Sequence, residues 1–405
     1  MDRHLNNSLI IQLKKEMNMK RFFLSTVTLL ALWAMATFFA MPTAAQAKTI
    51  KVGAILAETG GASFLGGPES RTISMLVEKI NAGGGINGDT IELIIKDSGG
   101  NPEKAISFAK QLIEEDKVLA ILGPSTSGET MSIKKICEDG KTILLSCAAA
   151  EVIVNPVGKY VFKTPQKDSY AAKKIFMEMN RMGIAKIAVL AGNTGFGKAG
   201  KEQLEAIAPE FGIEILAAEV YDKAATDLSA VIAKISANKD IQAVVNWSIV
   251  PAQAIVAKNI RQAGWNVPIF QSHGFGNIKY VEAAGVAAEG IIFPAGRLLV
   301  ADTLPADHPQ KNVLIQYRDE YEAKFKEPAS TFGGHGYDAI MILAEAIKAA
   351  GSTDSEKVRD AIENMKGFVG TGGIFNFSAE DHNGLDIDSF AMLTVKDGKF
   401  VLYNK

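Results

Sequence analysis

The chain has 405 residues, with 43 Lys and Arg against 45 Asp and Glu and a formal net charge of −2. So even a balance argues against nucleic acid as a partner, and two cysteines are too few for a disulfide framework. Cys137 and Cys147 lack zinc-site spacing and read as two buried thiols, because a bridge needs Cα atoms within about 7 Å of each other.

The N-terminus carries an export signal. Lys20 and Arg21 precede an apolar run from Phe22 to Met41, and Ala45-Gln46-Ala47 then stands before Lys48. A positive region, an apolar stretch and an A-x-A site in that order mark a secretory signal peptide. The expectation is cleavage after Ala47 and a periplasmic location, with no lipobox cysteine to anchor the product. The alternative is a retained membrane anchor, since about 20 apolar residues can span a bilayer. Residues 1–16 fit neither part and read as an upstream extension, with Met17 or Met19 as the start. Removing 47 of the 405 residues leaves 358, room for two ordinary domains. The removed segment carries five basic and two acidic residues, so the remaining chain is mildly acidic, at −5.

From Lys48 onward short β runs alternate with helical patterns, which predicts parallel sheets covered by helices. Thr49–Leu56 reads as the first strand. Ile73, Leu76, Val77 and Ile80 then fall on one helix face, and Gly83-Gly84-Gly85 stops that helix. Thr90–Lys96 follows as a strand, and Asn101-Pro102-Glu103 opens the next helix as cap, first residue and first-turn acid. Val118–Leu122 and Thr142–Ser146 are strands around a helix that starts near Gly128. The pattern restarts at about Asp168, with strands at 186–190, 213–220, 243–247 and 268–271. Helices lie between them at 169–181, 198–211, 228–237 and 252–263. A strand at 291–293 and a Pro-containing stretch through Pro305 and Pro309 lead to helices at 312–325, 337–349 and 355–364. The chain closes in a hairpin, 390–395 and 400–403, turned by Lys396-Asp397-Gly398-Lys399.

Three loops at strand ends hold the informative residues, since open parallel sheets bind ligands beyond the carboxyl ends of their strands. Gly123-Pro124-Ser125-Thr126-Ser127-Gly128-Glu129 leaves a strand and opens a helix, aiming free N–H groups and hydroxyls at one spot. That suits a carboxylate or other anion, and it equally suits an ordinary Ser/Thr helix cap. No Gly-Lys-Ser/Thr follows, so a P-loop is excluded. Gly192-Asn193-Thr194-Gly195-Phe196-Gly197 puts an aromatic ring on a glycine turn, for a ligand or simply to cover the core. Phe270-Gln271-Ser272-His273-Gly274 ends a strand with one histidine, a residue more often structural than functional when alone. Trp247 ends another strand as core or pocket wall. There is no Gly-x-Ser-x-Gly elbow and no His-Glu-x-x-His, so neither a nucleophile set nor a metal set points to an enzyme. No cofactor is implied.

Several runs carry a family resemblance: Ile50-Lys51-Val52-Gly53, Glu58-Thr59-Gly60, Ile80-Asn81-Ala82-Gly83-Gly84-Gly85-Ile86-Asn87-Gly88, and Asp97 to Ala105. The Gly123–Thr130 loop, Phe196-Gly197, Ala287-Ala288-Glu289-Gly290 and Tyr337-Asp338-Ala339 complete the set. Over Lys48–Lys405 the chain resembles the periplasmic binding proteins of branched-chain amino-acid (leucine/isoleucine/valine-binding) ABC importers. The resemblance implies an α/β type I periplasmic-binding fold of two Rossmann-like lobes with a central cleft and three crossings. The implied lobes are 48–166 plus 298–375 and 167–297 plus 376–405. It also implies a monomeric, non-enzymatic capture protein that closes on a small ligand and docks on a membrane permease. A ligand sensor on the same fold is the alternative, although no helix-turn-helix or effector domain is evident.

By that resemblance the anion-binding serine falls on Ser127, with Ser125 and Thr126 beside it, and the next backbone-and-threonine site falls on Ala148, Ala149 and Ala150. Aromatic wall positions fall on Phe64, Phe196, Ile249 and Phe332, with Trp247 adding to them, and the ammonium-pairing acid falls on His273. Amino-acid binders hold the ammonium with that acid and the threonine, and here both positions differ. An unpaired buried ammonium costs several kcal/mol, and micromolar affinity totals only about 8 kcal/mol. A carboxylate ligand without an α-amino group, aromatic or hydrophobic, is the expectation, and a hydrophobic amino acid remains open if Glu151 swings in as counter-charge.

Overall fold

The computed structural model describes residues 3–39 and 47–403. It divides into two compact units, Met1–Ala47 and Lys48–Lys405. The first is one helix, α1 (Arg3–Phe39). Among the described residues no helix is long and apolar enough to cross a membrane. The Ala45-Gln46 part of the expected cleavage site lies outside the described residues.

The second unit contains two sheets. The first is all parallel, in the order β2-β1-β3-β4-β5. It comprises β1 (Thr49–Leu56), β2 (Thr90–Asp97), β3 (Ala120–Leu122), β4 (Ile143–Ser146) and β5 (Val161–Lys163). Helices α2 (Ser63–Ala82), α3 (Pro102–Lys110) and α4 (Ser127–Asp139) connect these strands. Asn101 accepts from the Lys104 N–H as expected of a cap, with Pro102 in the first position. At the end of α2 the glycine run is needed geometrically. Gly84 and Gly85 have φ of 97° and 75°, and a Cβ on Gly85 would meet the Asp89 carbonyl at 2.1 Å.

The second sheet has the order β14-β13-β10-β9-β8-β6-β7. Its parallel part is β6 (Lys186–Gly192), β7 (Glu214–Tyr221), β8 (Ala243–Trp247), β9 (Ile269–Gln271) and β10 (Ile292–Ala295). Helices α5 (Asp168–Arg181), α6 (Gly195–Ile207), α7 (Ser229–Ser236), α8 (Ala252–Gln262) and α9 (Ile278–Ala284) belong to this half. The chain then returns through α10 (Lys311–Phe325), α11 (Thr331–Ala350) and α12 (Ser355–Glu363), and a small hairpin of β11 (Phe368–Val369) and β12 (Ile374–Phe375). It ends in the antiparallel hairpin β13 (Ala391–Lys396) and β14 (Lys399–Leu402) at the edge of the second sheet. The turn is the two-residue Asp397-Gly398, both at positive φ, which matches strand twist. The Glu289 carboxylate receives both of their N–H groups.

Three departures from the sequence reading have physical causes. Helix α11 starts at Thr331 instead of 337, capped by Ser330. Its glycines disguise it, yet they serve packing: a Cβ on Gly333 would meet the Tyr317 hydroxyl at 2.3 Å, and one on Gly336 the Glu69 carbonyl at 3.0 Å. Strand β5 is too short to show a period, and its last residue is a fully buried lysine. Phe377 and Leu385 pack in the core of the first sheet, beyond the expected boundary at 375, while Phe390, Leu393 and Val395 pack in that of the second.

Crossings between the two halves therefore follow β5, follow β10 and fall between Leu385 and Phe390. Further contacts tie the halves across the cleft. The Asn277 side chain donates to the Phe64 carbonyl at 2.9 Å, Thr331 donates to the Gly276 carbonyl at 3.2 Å, and Lys279 pairs with Glu327 at 3.5 Å.

Tight packing of α6 on its sheet yields a stability test. Trp247 is fully buried, and a Cβ on Gly200 would lie 1.9 Å from its indole nitrogen. Gly200→Ala should cost about 1–3 kcal/mol of stability through overpacking. Thermal unfolding measures it, and an unchanged midpoint would show that the indole has room to move.

Candidate functional site

Strand-end loops of both sheets converge on a buried cavity of about 20 Å³, space for roughly one water. From the first half come Leu65 on α2, Ser125 and Ser127 at the start of α4, Cys147, Ala148 and Ala149 after β4, and Pro165 in the first crossing. Phe332 and His335 project from the start of α11, and the second half supplies Phe196, Ile249, His273 and Gly274. Anything of amino-acid size enters only when the halves part further than they are here.

Each polar wall group has a defined state. Ser127 accepts from the Ala150 N–H at 3.3 Å, which leaves its own proton for an acceptor in the cavity. It stands in the first turn of α4, whose N–H groups and dipole favour negative charge. Ser125 is already committed, accepting from the Ala57 N–H at 3.0 Å and donating to the Glu69 carboxyl behind the wall. Burial pushes Glu69 up to about 8, so it is neutral at pH 7.

His273 is held edge-on by Phe196, Trp247 and Phe390, with ring centroids 5.3, 5.7 and 5.5 Å away. Burial, aided by the nearby Lys163 charge, keeps its ring well below the usual histidine range. The same causes, in the same order, hold His335 down to about 3. Both rings are neutral at pH 7. Lys163 itself is fully buried and donates to the carbonyls of Ala149, Pro165 and Gln166 at 2.7, 2.9 and 3.0 Å.

Of the residues singled out from sequence, Ser125, Ser127, Ala148, Ala149, Phe196, Ile249, His273 and Phe332 form this wall. Five others lie outside it. Phe64 packs on Tyr280 at 5.4 Å. Thr126 caps α4, accepting from the Glu129 N–H and donating to its carboxylate, and faces an outer groove. Ala150 supports Ser127 from behind. Trp247 backs Phe196 at 5.6 Å and points its nitrogen at Gly200. Glu151 faces Lys163 and Asp168, its N–H bonded to the Asp168 carboxylate, and does not reach the wall. Sequence reasoning missed Leu65, Cys147, Pro165 and above all His335. The helical spacing of Phe332 and His335, i and i+3, was the available signal.

The outer groove, about 840 Å³, runs between the halves and is separated from the cavity by Phe196 and Ile249, which line both. At its floor the first turns of α4 and α6 meet glycine to glycine: a Cβ on Gly195 would lie 2.8 Å from the Gly128 Cα.

Two α/β halves built on mainly parallel sheets, three crossings and a cavity walled by both define a trap that closes over a small molecule. Residues 49–399 match the family model described as periplasmic binding protein, and the chain belongs to that family, in its type I, branched-chain amino-acid class. It is 28% identical over 338 residues to a leucine-, isoleucine-, valine-, threonine- and alanine-binding protein of Pseudomonas aeruginosa, covering 82% of this chain and 87% of that one. An extracellular ligand-binding receptor from Rhodopseudomonas palustris HaA2 superposes with a TM-score of 0.82 at 28% identity, over 88% of this chain and all of that one. A solute-binding protein of an ABC transporter from Rhodopseudomonas palustris BisB5, solved with 3,4-dihydroxybenzoic acid, shares the fold at a TM-score of 0.74 and 20% identity, over 87% and 95% of the two chains. The family is one of solute-binding proteins that serve ABC transporters.

Glu69 gives a pH test. Unfolded, it ionises near 4.5, while the folded chain keeps it protonated to about 8, so it lowers stability progressively as pH rises between those values. Glu69→Gln titrates in neither state. Its stability relative to the parent should rise from pH 4.5 to 8 in denaturant titrations, and a flat difference would mean that Glu69 ionises normally.

Proposed function

We propose that this protein is the extracytoplasmic capture component of an ABC importer for an aromatic or hydrophobic carboxylate without an α-amino group. The observation that carries the proposal is the charge inventory around the cavity. Among the described residues no carboxylate raises either histidine, the only charged side chain acting on both rings is the Lys163 ammonium, and Glu69 behind the wall is neutral. An ammonium brought here would meet no ionised acid, a cost of several kcal/mol. A carboxylate meets the first turn of α4 and the free proton of Ser127. Leu65, Phe196, Ile249 and Phe332 supply an apolar body for the rest of the ligand.

The fold does not choose between ligands, since the related proteins include one named for five amino acids and one holding a dihydroxybenzoate. The side chains choose. In this reading the ligand bonds Ser127 in one lobe and packs on Phe196 and Ile249 in the other. It therefore favours the closed form, which the permease would recognise. The lobes are 48–166 with 298–385 and 167–297 with the final hairpin, hinged at the three crossings.

A thermal-shift screen of the purified protein tests the ligand class, because a ligand that binds only the folded state raises the melting point. Benzoate-like acids should stabilise, and leucine and valine should not; the reverse result sinks the proposal. Ser127→Ala should weaken the bound acid by about 1–3 kcal/mol in calorimetry. Unchanged affinity would remove Ser127 from the site.

A further inference from the structure

The cavity wall contains two nearly fully buried histidines, one from each lobe, whose ring nitrogens are not all matched. His273 is 6% exposed and neither of its ring nitrogens has a hydrogen-bond partner among the described residues; His335 is 7% exposed and its Nδ1 has none there either. Both residues line the cavity. Other buried polar atoms lack partners too, such as those of Gln253 and Gln271, but these three ring nitrogens belong to residues that line one cavity from both lobes, which points to a ligand group. We infer that the ligand carries a hydroxyl, held away from its carboxylate, that bridges His273 and His335 across the cleft. The inference rests on the carboxylate reading above and names the substrate class more narrowly, as a hydroxylated aromatic acid.

The chemistry favours a group that both donates and accepts. A neutral imidazole has one N–H and one bare nitrogen, so each ring offers one donor and one acceptor. A second carboxylate accepts only and an ammonium donates only, so each fits a single combination of ring tautomers, two inward N–H groups or two inward bare nitrogens. A methyl or halogen leaves both rings unmet. A hydroxyl accepts from one ring and donates to the other.

Two further features fit this reading. The rings are neutral, as such a bridge requires, because burial and Lys163 both oppose their protonation. His335 is also fixed along its helix, since the Thr164 hydroxyl in the first crossing donates to its carbonyl at 3.0 Å. A hydroxyl bonded by both rings thus joins α11 of one lobe to the β9 loop of the other, beside the hinge, and adds a contact that only the closed form can make.

The test is calorimetry on the purified protein with matched pairs: 4-hydroxybenzoate against 4-methylbenzoate, and 3-hydroxybenzoate against 3-methylbenzoate. At least one hydroxy acid should bind about tenfold or more tightly than its methyl counterpart, because a site built for a hydroxyl leaves polar groups unpaired with the analogue. His273→Phe and His335→Phe should each erase that preference while still binding the methyl acids, and His335→Asn should retain part of it. Equal affinity within both pairs overturns the hydroxyl bridge and leaves the carboxylate reading standing. A preference that survives both Phe variants also overturns it. If none of the four acids binds while leucine does, the carboxylate reading falls and the bridge falls with it.

Discussion

Lys163 is the constraint on which the site depends. A fully buried ammonium is tolerable only when each of its protons has an acceptor, and three backbone carbonyls meet that need here. Two of them, on Pro165 and Gln166, belong to the first crossing between the lobes, and the third, on Ala149, to the loop after β4 that walls the cavity. One side chain therefore ties hinge to wall. Asn383 braces the same Pro165 carbonyl at 2.8 Å, and Gln166 reaches the Gly372 carbonyl at 2.7 Å. The start of the crossing has little freedom, so opening must be absorbed at the other two crossings or beyond Gln166.

The same charge shapes the chemistry. Burial draws Lys163 down, and the Asp168 and Glu151 carboxylates oppose that shift. The three carbonyls are acceptors and require the protonated form. With that positive charge close by, neither His273 nor His335 gains from adding a proton. One acid of the neighbourhood is meanwhile engaged elsewhere. Asp338 accepts from the Thr371 and Gly372 N–H groups at 2.6 and 2.7 Å, which explains its place in the Tyr337-Asp338-Ala339 run as the anchor of the 371–372 loop. The cavity is left with hydroxyls, neutral imidazoles and apolar surface.

Much of this was legible in the sequence. The alternation of β and helical periods set out the two sheets, because parallel strands buried on both faces must be apolar and helices must show one apolar stripe. The loops that bring Ser127 and His273 to the cavity stood out because strand ends are where such sheets bind ligands. His335 was not, since it lies on a helix whose glycines suit close contact with Tyr317 and Glu69 and mimic a loop on paper. Lys163 was invisible for a different reason. A lysine ending a three-residue strand looks like a surface charge, and only the fold brings together the carbonyls that bury it. Trp247 and Phe64 looked like ligand walls because aromatic type and position suit that role, and tertiary packing turned both toward protein.

That contrast bears on how one fold serves different ligands. Lobe closure, helix-dipole attraction for an anion and an apolar wall can be common to a binder of amino acids and a binder of simple acids. In the proposed reading, what separates them is whether one ionised carboxylate stands opposite the anion site. On that reading His273 takes the place of such an acid, and the surroundings hold that histidine neutral by burial among three aromatic rings and by the repulsion of Lys163. Restoring an acid at His273 alone would not recreate an ammonium site. Ala150 would still lack the threonine hydroxyl, and a carboxyl placed among Phe196, Trp247 and Phe390 would be pushed toward its neutral form, as Glu69 already is. Selectivity in this cleft is a property of the whole electrostatic surround, which is why it resists reading from any single position.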